Sequence, residues 1–292
     1  MLIDAHHHVW CPESRAPDLR YGWLRDRGAP KPFGDPTPIQ RDYLWPEFLT
    51  EGDAPPEASV HVQADAAADP VGEVEWVART ATEAGHRVAV VGLADLAAPD
   101  AAERIAAMAR TPAFRGVRQI VARDDARPRL SFAPRDLLAD PAWRRGLAAL
   151  AEAGHSFDLQ LYPAQADAAL DALAPLPHLL VVVDHAASPV DGPTPAWRRA
   201  VAALAARPGT HCKLSGWGMY APGWSVETIA PMVAHVLDAF GSDRVMFGSN
   251  FPVEKLARPY GAVVEDVARA VRLAGGDEAA VMGRTAQTFY RL

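Results

Sequence analysis

The sequence predicts an α/β fold in which eight parallel strands close into a (β/α)8 TIM barrel. Short apolar runs are separated for the most part by helix-like segments, and no internal repeat is visible. The length of 292 residues suits one barrel, and we expect a single domain over residues 1–292. The apolar runs lie at 2–4, 59–64, 88–94, 116–121, 157–162, 179–184, 211–215 and 244–248.

Start and stop signals mark several of the helices between these runs. Asp140 can cap a helix whose first residue is Pro141, and Gly154 follows as a stop. Comparable start signals stand at Thr194, Ser225 and Asp277. Strand followed by helix along the whole chain is the order that a parallel barrel requires.

Residues 11–58 interrupt this alternation. They are rich in Pro, Gly, Arg and aromatic residues and carry little periodicity, and loops of this length are usually functional or disordered. Because the segment follows the first strand, it would lie on the C-terminal face of the barrel, where active sites sit. We predict that it forms a lid or pocket wall; a surface excursion is the alternative.

Composition excludes several classes of protein. A hydrophobic content of 49% and a charged content of 22% are typical of globular chains and exclude disordered and fibrous ones. No apolar run approaches the roughly 18 residues of a membrane span, and no signal peptide is visible, so we expect a cytoplasmic protein without a membrane partner. The net charge of −7 without a basic cluster argues against nucleic acid. Cys11 and Cys212 form neither a disulfide framework nor a zinc knuckle.

Three consecutive histidines end the first strand. Side chains alternate along a strand, so Asp4, His6 and His8 are expected on one face and His7 on the other. Two imidazoles at this spacing suit a divalent metal, because neutral imidazole is a good zinc ligand. An accidental run of histidines is the alternative.

Other strands also carry polar groups near their ends. Lys213 and Ser215 share a face of the seventh run and are expected to shape a pocket, whereas Asp184 is expected to face away from His185. A buried unpaired polar group costs about 1–3 kcal/mol, so a ring of them indicates a site more than packing. Glu73 is expected on a solvated helix face. Site and barrel-floor positions both remain open for His61, Gln63, Asp158 and His211.

Six motifs occur in order along the chain: IDAHHHVW, FRGVRQI, FDLQLYP, VDHAASP, CKLSG and MFGSNFPVEKL. With them the chain resembles the amidohydrolase superfamily, and most closely its branch of sugar-acid lactonases and 2-pyrone-4,6-dicarboxylate lactonase. The resemblance extends from residue 2 to the C-terminus. It implies a TIM-barrel hydrolase, monomeric or homodimeric, that opens the lactone ring of a small-molecule substrate.

The resemblance also implies roles for individual residues. His6 and His8 match the first-strand H-x-H motif and His185 the sixth-strand histidine, and these three would be the ligands of any bound metal. Arg118 and Tyr162 match positions that bind an anionic substrate or polarise its carbonyl. The lysine that bridges two metals in binuclear relatives has no counterpart in FRGVRQI. The expected cofactor is therefore none, or one divalent metal ion, most naturally zinc.

Asn250 stands where the family usually has an aspartate that takes a proton from the attacking water. An amide has no basic site near neutral pH. Either His185 acts as the base while Asn250 orients the water, or the acid–base plan differs, or hydrolysis has been lost. A lactone hydrolase is thus the first hypothesis. The alternatives are a metal-dependent decarboxylase, C–C hydrolase or natural-product tailoring enzyme, and a non-catalytic ligand-binding barrel.

Overall fold

One sheet of parallel strands forms the centre of the molecule. The computed structural model describes residues 1–13, 19–29, 31–66 and 68–292, so parts of the predicted 11–58 segment, at 14–18 and 30, lie outside the described residues. Eight strands occur in the described part, and their spatial order follows the chain. They are β1 Ile3–His7, β2 Ala58–Val62, β3 Val88–Gly92, β4 Phe114–Arg118, β5 Ser156–Leu159, β6 Val181–Val183, β7 Thr210–Leu214 and β8 Val245–Phe247. Each overlaps one predicted apolar run, and the predicted (β/α)8 barrel is confirmed.

Helices connect the strands, and their caps follow the sequence signals. The Asp140 carboxylate accepts a hydrogen bond from the Ala142 backbone, and the Thr194 hydroxyl accepts one from Trp197. No helix in the described ranges is long and apolar enough to cross a bilayer. The helices are α1 Gly22–Arg25, α2 Trp45–Phe48, α3 Pro70–Glu83, α4 Ala101–Met108, α5 Pro141–Glu152, α6 Ala166–Leu173, α7 Pro195–Ala206, α8 Trp217–Tyr220, α9 Val226–Phe240, α10 Tyr260–Leu273 and α11 Thr285–Tyr290.

The sheet closes on itself through the backbone just beyond β8 and β1. The backbone N–H of Asn250 donates to the His6 carbonyl at 2.6 Å, and the backbone N–H of His8 donates to the Phe251 carbonyl at 2.7 Å. A Cβ added to Gly248 would stand 2.5 Å from the His6 Cβ, so a residue without a side chain is needed at this approach. Barrel closure therefore fixes the relative positions of the β1 histidines and Asn250.

A bulge in β1 sets which of its side chains face the barrel interior. Asp4 pairs with Ser59, and His7 pairs with His61, so three steps along β1 match two steps along β2. The extra residue reverses the alternation of side chains. Asp4 and His7, on either side of the bulge, therefore face the same way, although simple alternation would place them on opposite faces.

The bulge overturns one prediction and leaves another intact. The prediction that Asp4 shares a face with His6 and His8 is wrong, because the Asp4 carboxylate lies outside the barrel. There it accepts a hydrogen bond of 3.2 Å from the hydroxyl of Tyr260 in α10. His7 also lies outside, as predicted, and packs against the aromatic rings of α2.

Apolar side chains fill the amino-terminal part of the barrel and the layer between strands and helices. Inside the barrel, Phe289 and Tyr290 of α11 pack against small and branched residues of the strands. The larger cluster lies between the sheet and the surrounding helices. The interior cluster comprises Ile3, Ala5, Ala58, Val60, Val62, Ala89, Val91, Val182, Met246, Ala286, Phe289 and Tyr290. This packing leaves the carboxyl ends of the strands for polar residues.

The segment after β1 folds over the carboxyl ends of the strands. Trp10, which directly precedes the segment, and Tyr43 within it form an antiparallel bridge with two backbone hydrogen bonds of 2.9 Å. Between them, the Trp23 indole donates to the Ala64 carbonyl at 2.9 Å. In its described parts, this long loop covers the C-terminal face of the barrel, as predicted.

Glu254 links α8 to the segment that follows β8 through hydrogen bonds. One carboxylate oxygen accepts hydrogen bonds from the Gly218 amide at 2.8 Å and from the Trp224 indole at 2.6 Å. The other oxygen is buried and has no hydrogen-bond partner among the described residues. Burial raises the pKa of Glu254 to about 7.

This burial predicts a pH-dependent loss of stability that Glu254→Gln removes. The folded state favours the protonated carboxyl, so its stabilising effect is complete below the unfolded pKa of about 4.5 and is lost as the pH rises through about 7. Between pH 5 and pH 8 we expect the wild type to lose on the order of 3 kcal/mol relative to the variant. Urea unfolding of both proteins at the two pH values measures this difference, and equal pH slopes would contradict it.

Candidate active site

A cavity of about 800 Å³ lies at the carboxyl ends of the strands. Its lining includes His8 after β1, Arg118 at the end of β4, His185 after β6 and Asn250 after β8. Catalytic residues of TIM barrels come from the ends of several strands at this face. The structure thus gathers four sequence-predicted site residues, from widely separated parts of the chain, around one cavity.

A buried charge cluster adjoins this cavity inside the barrel. The Lys213 ammonium lies 2.5 Å from Asp158 Oδ2, 3.3 Å from Asp184 Oδ1 and 3.5 Å from His6 Nδ1. The Tyr290 hydroxyl donates to Asp158 Oδ2 at 2.9 Å. All five side chains are essentially inaccessible to solvent. Lys213, predicted to shape the pocket, is absent from the described lining of the cavity and instead neutralises carboxylates inside the barrel.

The two carboxylates around Lys213 differ in their proton affinity. Burial raises the pKa of Asp158 to about 6, in spite of its contact with Lys213. Burial alone would also raise the pKa of Asp184, but the charge of Lys213 and the contact of 3.3 Å with His6 Nδ1 hold that pKa well below its ordinary value. Burial lowers the pKa of His6, so this ring is neutral near pH 7. Asp184 is therefore the permanent anion of the cluster.

Asp184 is the site residue that sequence reasoning missed. The prediction that it faces away from His185 is wrong, because β6 ends at Val183 and the chain then leaves the strand conformation. Residues 185–188 all have left-handed backbone angles, with φ between 49° and 57°. This turn directs both Asp184 and His185 toward the barrel interior. No local sequence signal indicates this turn, because alanine and serine carry a Cβ and rarely adopt left-handed backbone angles.

His185 is held in place by residues that follow β7. Its Nδ1 lies 2.8 Å from the Ser215 hydroxyl, and its ring centroid lies 4.6 Å from that of His6. Gly216 has a φ of +66°, and an added Cβ would stand 2.6 Å from His185 Nδ1. Ser215, predicted to shape the pocket, is absent from the described lining of the cavity and instead contacts His185.

His8 has its tautomer fixed by a backbone contact. Its Nδ1 lies 2.6 Å from the Val62 carbonyl, which can only accept, so Nδ1 carries a proton and donates it. Burial lowers the pKa of His8 well below its ordinary value, so the ring is neutral and Nε2 is an acceptor. The side-chain oxygen Oδ1 of Asn250 lies 3.4 Å from this Nε2, and two acceptors cannot form a hydrogen bond with each other. The contact is satisfied when the Asn250 NH2 group, which has no other described partner, points toward His8.

Arg118 and Tyr162, paired by the resemblance, are separated in the structure. Arg118 donates to the Gln63 carbonyl at 2.6 Å and approaches the Gln160 amide oxygen at 3.4 Å, while its Nε has no described hydrogen-bond partner. Tyr162 donates its hydroxyl to the Leu130 carbonyl at 2.6 Å and is not part of the described cavity lining. Arg118 alone of the two is available to a ligand in the cavity.

The residues with two open interpretations divide between interior, cavity and outer layer. Gln63 lines the cavity, whereas Asp158 is a partner inside the barrel. His61 belongs to β2, and its side chain lies on the outer face of the sheet, 3.7 Å from Glu73. The prediction of a solvated Glu73 is wrong: the side chain is 1% exposed and accepts a hydrogen bond of 3.0 Å from the Ala64 amide. The first turn of α3 faces the end of β2, which buries this position.

Three of these side chains form a set that could hold a metal ion. His6, Asp184 and His185 place one ligand atom each within 4.8 Å of one another. Among the described residues, His6 Nε2 and Asp184 Oδ2 are buried without a hydrogen-bond partner, whereas Asp184 Oδ1 lies 3.3 Å from the Lys213 ammonium. Two imidazoles and a carboxylate fit one divalent cation with an open position. This set differs from the predicted one because Asp184 takes the place of His8.

Comparisons with known proteins agree with this architecture. The family model described as Amidohydrolase matches residues 3–292. A Sinorhizobium fredii protein is 35% identical over 298 residues, which cover 100% of this chain and 98% of that protein. An L-fucono-1,5-lactonase from Burkholderia ambifaria is 32% identical over 268 residues, 89% of this chain and 83% of the relative.

A solved structure is similar over the whole chain. An amidohydrolase from Burkholderia multivorans, crystallised with bound zinc, superposes with a TM-score of 0.79 and 31% sequence identity. The match covers 100% of this chain and 99% of that one.

The buried cluster predicts a large difference between two lysine variants. Lys213→Met leaves the Asp184 charge buried without its cation, so we expect a loss of about 3–5 kcal/mol in the free energy of unfolding. Lys255→Met is the matched control, because this lysine also contacts two carboxylates but is 36% exposed. It should cost about 0–1 kcal/mol. Urea denaturation of both variants decides the matter, and similar losses would show that the Lys213 cluster is not a stabilising element.

Proposed function

The chain belongs to the amidohydrolase family, and we propose that it hydrolyses a small lactone by attack of water on the ring ester carbonyl. The observation that carries the proposal is the convergence of His8, Arg118, His185 and Asn250 on one cavity at the carboxyl ends of the strands. The lactonase names of relatives about 32% identical support the same class of reaction. The ring size and substituents of the substrate are not implied by this similarity.

His8 is the residue that we propose as proton acceptor. Its Nδ1 donates to the Val62 carbonyl, which leaves Nε2 as the basic atom and directs it toward the cavity and Asn250. A water held by the Asn250 amide can transfer a proton to Nε2 while its oxygen attacks the carbonyl carbon. The ring C–O bond then breaks, and the same proton passes from His8 to the departing alkoxide. General base catalysis of this kind contributes about 10²–10⁴-fold.

Arg118 is positioned to stabilise negative charge. Its guanidinium lines the cavity, and its Nε has no described hydrogen-bond partner. A buried cation of this type stabilises the oxyanion that develops on the carbonyl oxygen, or a carboxylate of the substrate. The chain thus offers a base and an anion-stabilising group in the same cavity, although an amide stands at the position of the usual aspartate.

His185 has a different role in this proposal from the base inferred from the sequence. With His6 and Asp184 it belongs to the set that fits a divalent cation, most naturally zinc. Such an ion, when bound, polarises a carbonyl oxygen and lowers the pKa of water. Ser215 and Gly216 hold the His185 ring in the orientation that this set requires.

The proposed reaction is tested by proton release at constant pH with a panel of lactones, using wild-type protein and two histidine variants. We expect His8→Ala to lower kcat/KM by about 10²-fold or more. Because His8 is the proposed proton acceptor, added imidazole should restore part of the lost rate. His185→Ala should also lose activity but show no rescue, and circular dichroism should show that both variants fold.

The pattern of rescue separates the two candidate bases. Rescue of His185→Ala without rescue of His8→Ala would return the role of base to His185. Absence of acid release by folded wild-type protein with every lactone, with and without added zinc, would contradict lactone hydrolysis itself.

Metal binding is tested separately from activity. We expect protein stripped with chelator to bind zinc, and Asp184→Asn to weaken zinc binding by at least about tenfold, since even groups that only orient a ligand change affinity by that much. Isothermal titration measures both dissociation constants. Glu254→Gln is the matched control, because it removes a buried carboxylate away from the proposed ligands and should bind zinc like the wild type. An unchanged zinc affinity in Asp184→Asn would exclude this residue as a ligand.

A further inference from the structure

We propose that the substrate is a lactone whose ring carries a sizeable hydrophobic substituent, an alkyl chain or an aryl group, and not a hydroxyl-rich sugar lactone. This inference rests on the proposed lactone hydrolysis and names the part of the substrate that lies away from the reacting carbonyl. It comes from the size of the cavity, the character of its wall and the state of the polar groups in that wall.

The cavity is larger than a sugar lactone needs. Its volume of about 800 Å³ lies toward the upper end of the roughly 300–1,000 Å³ range of pockets for drug-sized ligands. A six-carbon sugar lactone has about eleven non-hydrogen atoms, which occupy at most about 330 Å³ even if each takes the volume of a liquid water molecule. More than half of the cavity would then hold no substrate atoms.

Six half-buried apolar side chains line this cavity. They come from four separate parts of the chain: Trp23 and Phe33 after β1, Leu93 after β3, Ile120 and Phe132 after β4, and Met219 in α8. Convergence of large apolar groups from several loops on a cavity is typical of a ligand pocket. Each side chain keeps surface that a hydrophobic substituent would cover.

The polar groups of the wall are largely used by the protein itself. The Gln119 amide oxygen accepts hydrogen bonds from the Leu96 backbone at 3.0 Å and from the Trp143 indole at 2.9 Å, and its NH2 group donates to Asp95 at 3.0 Å. Arg104 is paired with Asp100 at 2.8 Å. Hydroxyl groups of a substrate that lie along this part of the wall would find few partners, at a cost of about 1–3 kcal/mol for each unpaired group.

The remaining charged groups of the cavity wall nearly cancel. Their positions indicate where the reacting end of the lactone binds. Lys31 and Asp65, of opposite sign, both line the cavity, and Arg118 lies among the catalytic candidates. The lactone carbonyl therefore fits near Arg118, His8 and Asn250, while an uncharged substituent extends along the aromatic wall. The polar end of the cavity and its apolar wall together orient the lactone ring.

The test compares two δ-lactones that differ only in a pentyl group beside the ring oxygen, together with a hydroxylated hexonolactone. Each fully buried methylene is worth about fourfold, so we expect the pentyl compound to have a kcat/KM at least about thirtyfold above that of the unsubstituted ring. The hexonolactone should not exceed the unsubstituted ring. A preference for the hexonolactone, or no effect of the pentyl group, would overturn the inference while leaving lactone hydrolysis intact.

Two wall variants and one matched control locate the effect. Phe33→Ser and Phe132→Ser should each reduce the advantage of the pentyl compound by about tenfold, since a polar group replaces an apolar contact. Leu180→Ser is the control, because Leu180 is 45% exposed and precedes β6 at the opposite end of the barrel. It should leave the ratio of the two kcat/KM values unchanged. Equal effects of all three variants would contradict the assignment of the wall.

Binding of unreactive lactams separates this inference from the reaction. Isothermal titration with the lactam analogue of each δ-lactone measures recognition of the pentyl group without ring opening. Tighter binding of the pentyl lactam without hydrolysis of any lactone supports the inferred recognition and refutes the proposed reaction. Equal binding of the two lactams, combined with hydrolysis of the lactones, overturns the inference alone.

Discussion

The interaction between Lys213 and the carboxylates inside the barrel connects four of its strands. Lys213 of β7 contacts Asp158 of β5, Asp184 after β6 and His6 of β1, and Tyr290 of α11 adds a hydrogen bond from the opposite side. Charges buried in an apolar barrel are tolerated only in close pairs. The positions of His6 and Asp184, and with them the candidate metal set, therefore depend on one lysine that is remote from the solvent in the cavity.

Three irregular features of the backbone then aim the remaining groups. The β1 bulge directs His6 and His8 inward, and the left-handed turn after β6 directs Asp184 inward. Asn250 joins β8 to β1 through its backbone N–H. Asn250 has a φ of +58°, a conformation that asparagine adopts more readily than most residues. Its side chain thereby faces His8, so the same position closes the barrel and contacts the proposed base.

The strands and most residues at their ends could be predicted from the sequence, because apolar runs and a period of two report directly on a buried parallel sheet. The errors at Asp4 and Asp184 arise where one extra residue or a left-handed turn breaks that period, and neither feature changes the apolar pattern. Glu73 was misassigned because the helix position that meets the end of β2 depends on tertiary packing. Wall residues such as Phe132 depend on loop conformations that no local rule specifies.

The bridge between Trp10 and Tyr43 has a consequence for how this molecule can change over evolutionary time. The bridge holds Trp10 and Tyr43 side by side, so the distance between these two residues does not depend on the length of the chain between them. The entropic cost of closing a loop grows only slowly with its length. Segments of other lengths and sequences can therefore replace the chain between Trp10 and Tyr43 without altering the register of the strands. Recombination at this point can supply the barrel with new specificities while the catalytic groups keep their positions.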